Sequence, residues 1–167
     1  MRKLILGAAL ALILPGTAAA APKAPTPADL AKAACKTEKH ASTKLFKQTY
    51  GAKSTSKAMK TCVAKTVPAA EEATENAAKA CKAERDANET AFAQKYGTNE
   101  NKKNAYGKCV SKTAKASTEE AAEDRVNAAQ TCKALKRDDA DAFEDDYGSR
   151  KNAFGKCVSA TARADDS

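Results

Sequence analysis

Six cysteines recur in step with the aromatic residues of this chain, and that recurrence limits its folds more than any other feature. Cys35, Cys81 and Cys132 each stand fifteen residues before a tyrosine: Tyr50, Tyr96 and Tyr147. Glycine follows each tyrosine (Gly51, Gly97, Gly148), and phenylalanine precedes it by four (Phe46, Phe92, Phe143). A second cysteine comes ten to thirteen residues after the tyrosine: Cys62, Cys109 and Cys157, each followed by valine. The unit reads C-x10-F-x3-Y-G, a linker of variable length, then A-[MYF]-x2-C-V. The period is 46 and then 51 residues, in the range of helical repeat arrays.

Both halves of a unit read as helix. Thr26 is a capping residue with Pro27 at the first helical position, where its missing N–H costs nothing. Cys35, Phe46 and Tyr50 are eleven and four residues apart, which puts them on one face of a single helix. The glycine after each tyrosine is expected as a left-handed C-cap. In the second half, Met59, Cys62, Val63 and Thr66 keep the i, i+3, i+4, i+7 spacing, as do Tyr106, Cys109, Val110 and Thr113. Gly-, Asn- and Ser-rich linkers separate the halves. Pro68 is expected to break the chain between units one and two, and Ser117 with Glu120 offers a capping box between units two and three. Gly107 and Gly155 fall inside the second helix, either kinking it or letting the first helix approach closely. The resulting expectation is an all-α fold of three tandem helical hairpins: residues 28–68, 69–116 and 117–163, with a linker at 21–27 and a polar tail at 164–167.

Composition says what must hold such hairpins together. Beyond residue 20 there are three Leu, five Val, four Phe and no Ile. That is well below the ~20% level at which chains begin to resemble disordered ones. Alanine supplies most of the apolar count and buries little surface, so the hydrophobic contribution is small. Disulfides are the natural substitute in an oxidising compartment. The N-terminus points to one. Arg2 and Lys3 precede an apolar run from Leu4 to Leu14, then Pro15, Gly16 and small residues. This is the layout of a secretory signal peptide, residues 1–20, cleaved after Ala20. The run is too short to span a bilayer, which takes ~20 residues. The mature chain is expected to be secreted, outside the cytosol, with no transmembrane segment.

Six cysteines allow fifteen pairings. Pairing inside each unit, Cys35–Cys62, Cys81–Cys109 and Cys132–Cys157, is favoured because it makes every unit complete. The rival joins Cys62–Cys81 and Cys109–Cys132 and leaves Cys35 to find Cys157. Helix lengths do not choose between them. A metal centre would need close C-x2-C pairs with four converging ligands, and the spacing offers none. His40, the only histidine, sits in Glu38-Lys39-His40-Ala41-Ser42 on a lysine-rich helix and reads as a solvated surface side chain, so no catalytic residue is assigned. The run Asp138–Asp146 departs from the calcium-loop spacing. No cofactor is expected, and the chain is read as non-enzymatic.

Charge is distributed unevenly. Residues 28–68 carry nine lysines against two carboxylates, whereas residues 117–167 carry eight basic and twelve acidic side chains. The nine lysines, Lys32, Lys36, Lys39, Lys44, Lys47, Lys53, Lys57, Lys60 and Lys65, suit a polyanion such as a wall polymer, an anionic membrane surface or extracellular DNA. Opposite charge at the two ends also suits head-to-tail self-association. The chain lacks an interleaved aromatic and basic platform of the kind single-strand binders use. The function expected is that of a secreted structural or interaction protein, with polyanion binding through the first unit as the alternative.

The segments NAYGKCVSKTA (104–114) and NAFGKCVSATA (152–162), with the upstream F-x3-Y-G, resemble uncharacterised exported bacterial proteins carrying GKCVSK-type two-cysteine repeats. The resemblance spans most of residues 28–163. It implies export and repetition and assigns no activity. Unit one departs from it, with Lys60-Thr61 where the others have Gly-Lys.

Overall fold

The computed structural model describes residues 24–165; the expected signal peptide, residues 1–20, lies outside them. The described residues form seven helices and no strand: α1 (Pro27–Ala41), α2 (Thr43–Thr49), α3 (Thr55–Ala87), α4 (Glu89–Tyr96), α5 (Ala105–Asp138), α6 (Ala140–Tyr147) and α7 (Ala153–Asp165). None of them is long and apolar enough to cross a membrane.

The three disulfides are Cys35–Cys62, Cys81–Cys109 and Cys132–Cys157, each with Cα atoms 6.0 Å apart. All six cysteines are buried. Each bridge staples the two arms of one hairpin, as the in-unit pairing requires. A threonine four residues after the second cysteine sits on each bridge. Thr66 Oγ1 is 3.9 Å from Cys35 Sγ, Thr113 Oγ1 is 3.9 Å from Cys81 Sγ, and Thr161 Oγ1 is 3.6 Å from Cys132 Sγ. The phenylalanine and tyrosine of each unit pack ring against ring, with centroids 4.9–5.1 Å apart.

The first arm is not the single helix its spacing suggests. It breaks seven residues after the first cysteine, at Ser42, Asn88 and Asp139, which have extended backbone angles. Each of these side chains accepts a hydrogen bond from the backbone N–H three residues on, at Leu45, Ala91 and Ala142. They are N-caps, and they start a new short helix in a new direction. The break also explains how the bridges close. Cys35 lies seven residues before the break and Cys62 seven after the start of α3, each a rise of about 10 Å. The two sulfurs therefore reach the same level once α2 serves as the elbow.

Two other expectations are corrected. Pro68 does not end a helix, because α3 runs through it from Thr55 to Ala87. Its ring is exposed, so the helix loses one hydrogen bond there without a steric conflict in the core. Ser117 and Glu120 cap nothing, since they lie inside the continuous helix α5. The long helices α3 and α5 are thus each shared by two consecutive hairpins. Gly51 and Gly148 take positive φ, but Gly148 combines it with ψ of 163°, outside the left-handed helical region expected of a cap, and Gly97 has φ of −73°.

Helix α1 packs on both α3 and α5, which also pack on each other. Leu30, Ala31, Ala70, Ala77 and Ala114 form the centre of this layer, with Val63, Val67 and Val110 at its edge. Alanine-rich faces let helices approach closely and leave few large side chains to bury. Separate clusters surround each disulfide, the largest of them around Cys132–Cys157.

Candidate anion-binding seam

The first and third units meet directly. Leu45, on α2, packs into the cluster of the third unit that contains Ala129, Cys132, Phe143 and Phe154. Gly155, on α7, lies against the end of α2: a methyl group there would overlap the Thr49 carbonyl oxygen. Gly107 holds the same place in unit two, and nothing lies within 4 Å of a methyl added to it. Of the two roles open to these glycines, Gly155 takes close approach, and the neighbour it admits belongs to another unit.

A buried ion pair fastens the same seam. Arg125 Nε, on α5, donates to Glu38 Oε1 at 2.7 Å, and Tyr50 Oη donates to Glu38 Oε2 at 2.6 Å. The Glu38 side chain is 5% exposed and that of Arg125 21%. Burial pushes the Tyr50 phenol far above its ordinary range, and the Glu38 charge adds to the shift. In unit two, Tyr96 Oη donates to Glu84 Oε2 at 2.9 Å, but that carboxylate is at the surface. Its pKa is lowered, first by the hydrogen bond from Lys95. Unit three has Leu135 in the place of the glutamate, 46% exposed.

This docking gathers cations. A groove of about 580 Å³ runs between the α2–α3 turn and the α6–α7 loop. Lys44, Lys47 and Lys53 line it from the first unit, and Lys136, Arg150 and Lys151 from the third. Its floor is Gly51, Ala52, Ala153 and Phe154, and it contains no carboxylate. None of the six cations makes an ion pair among the described residues. Lys136 is 5.5 Å above the Phe143 ring. Gly51 (φ +59°) turns the chain at this point, where the Lys151 carbonyl would be 3.7 Å from a β-carbon.

The nine lysines singled out in the sequence therefore separate into groups. Lys44, Lys47 and Lys53 converge on the groove. Lys65 lines an adjoining concavity. Lys32, Lys36, Lys39, Lys57 and Lys60 line neither, and all but the half-buried Lys39 are exposed. Lys136, Arg150 and Lys151 were hidden to sequence reasoning because they belong to the unit with net negative charge. Four of the twelve acidic residues of 117–167 lie on α6, where Asp141, Glu144, Asp145 and Asp146 are exposed. His40 is exposed near the end of α1.

No protein-family model, curated protein or solved structure matches the chain.

Proposed function

We propose that this is an exported, non-enzymatic binding protein whose ligand is a polyanion, held in the groove between the first and third units. The single observation behind this reading is a set of six cations, none ion-paired among the described residues, around one concavity whose lining has no carboxylate. Like charges brought together repel one another, and a bound anion relieves that repulsion. Export follows from the layout of residues 1–20 and suits a chain with three disulfides.

The test is titration of the oxidised mature protein with inorganic polyphosphate at several salt concentrations. Each groove cation that meets a phosphate should contribute about one unit to the slope of log K against log salt. The variant K44Q/K47Q/R150Q/K151Q should lose most of the binding and flatten the slope. K32Q/K36Q/K57Q/K60Q removes the same charge outside the groove and should change the affinity little. Equal losses in the two variants would mean that net charge, and not this site, attracts the anion.

A second reading, head-to-tail association of copies, is favoured by the exposed carboxylates of α6, which make no ion pair among the described residues and are opposite in charge to the groove. It requires the protein to self-associate at low salt in sedimentation and to become monomeric when Asp141, Glu144, Asp145 and Asp146 are made neutral.

A further inference from the structure

The groove does not end at the α2–α3 turn. A second concavity of about 330 Å³ shares Gly51 with it and continues along the same seam, between α3 and α7. Lys65, Lys156 and Arg163 line this extension, with Thr49, Asn152 and Ser159 as uncharged polar partners and no carboxylate. All three cations are exposed and make no ion pair among the described residues. Lys156 and Arg163 lie two turns apart on one face of α7, about 10 Å along its axis. Beyond them the seam opens into a cleft where Lys65, Arg163 and the Glu38-paired Arg125 face Glu72 and Asp124. The carboxylate-free lining ends there, at Glu72 and Asp124.

We propose that the two concavities form one track and that its ligand is a linear phosphate polymer, gripped along its length as a single flexible strand. This inference rests on the anion-binding reading above and makes it specific. A compact anion would satisfy only one of the two concavities. A bilayer presents its headgroups in one plane, whereas these cations line two concavities that follow one another along a seam. A strand carrying a charge every few ångströms could run from Lys136 and Arg150 past Gly51 to Arg163, releasing counterions along the way. Sequence-specific reading of bases is not part of the proposal, since the ring on the groove floor, Phe154, is 7% exposed.

The experiment compares tripolyphosphate, long-chain polyphosphate and phosphatidylglycerol vesicles as probes of the full oxidised protein. Long chains should bind at least about tenfold more tightly than tripolyphosphate, because they engage the extension as well. K65Q/K156Q/R163Q should remove that advantage and leave tripolyphosphate binding unchanged. E72Q/D124N, which removes the terminating charges, should strengthen long-chain binding, and this gain does not depend on a weakened protein. If K65Q/K156Q/R163Q leaves long-chain affinity intact while the groove variant abolishes it, the track is wrong and the groove stands. If vesicles bind as strongly as long chains, the strand is wrong. If no phosphate probe binds the wild-type protein, the anion-binding reading fails with it.

Discussion

Replacing Gly155 by alanine tests whether the first and third units are docked. The added methyl would overlap the Thr49 carbonyl oxygen. That oxygen is backbone at the end of α2, so it cannot rotate away as a side chain would. Gly107 provides an internal control, because it occupies the matching position of unit two and faces open space. Both glycines lie inside helices, where alanine is favoured by about 0.8–1.0 kcal/mol. Gly107→Ala should therefore stabilise the protein by roughly 0.5–1 kcal/mol. Gly155→Ala gains the same propensity but overpacks the seam, which typically costs about 1–3 kcal/mol. The difference between the variants is free of the propensity contribution and should be about 1–3 kcal/mol. Urea denaturation of the oxidised proteins, followed by far-UV circular dichroism, measures it. Gly155→Ala should also weaken polyphosphate binding, since it separates the two walls of the groove. Equal stabilisation by both substitutions, with binding unchanged, would refute the docking of α2 on α7.

Other consequences follow from the same seam and helices. Glu38→Ala leaves Arg125 without its partner. Losing one member of a buried pair costs about 3–5 kcal/mol, reduced here to roughly 2–4 because Arg125 is partly exposed. The double variant E38A/R125A should recover part of that loss in a denaturation cycle, and strict additivity would count against the pair. Tyr50 has its folded-state pKa raised. Its contribution to stability is therefore fully present below the unfolded phenol value of about 10 and is lost as pH rises above it. Stability measured above about pH 10 should fall less steeply in Tyr50→Phe than in the wild type, and identical slopes would contradict the assignment. Pro68→Ala restores a backbone donor inside α3 and should stabilise by up to about 3 kcal/mol, read as a higher urea midpoint; a lower midpoint would mean that α3 needs the proline bend.

Much of the hairpin was legible in the sequence. The cysteine–phenylalanine–tyrosine spacing reports which residues share a helix face, and the in-unit pairing makes each hairpin self-sufficient. The breaks at Ser42, Asn88 and Asp139 also had a signal, since a capping residue stands seven places after the first cysteine of every unit. Periodicity concealed it, because eleven plus four residues also fits an unbroken helix. Pro68 misleads for a different reason: a proline whose ring faces solvent removes one hydrogen bond, and the flanking packing of Ala58, Cys62, Thr66 and Ala70 carries the helix through. The seam was not legible at all. Helical periodicity places residues within an element and is silent about which units touch. The groove pairs Lys44, Lys47 and Lys53 with cations more than eighty residues away, in the unit whose net charge is negative.

The bridges close separations of 27, 28 and 25 residues. A bridge of that size removes about 3–4 kcal/mol of unfolded-chain entropy, a large share of the about 5–15 kcal/mol that a domain usually has. Thermal unfolding at 222 nm with and without a reductant, with thiols counted in both samples, tests most directly whether covalent staples stand in for a large apolar core. The expected result is no free thiol and a cooperative melt when oxidised, and six thiols with no cooperative transition when reduced. A reduced chain with six free thiols that still melts cooperatively at the same temperature would contradict it.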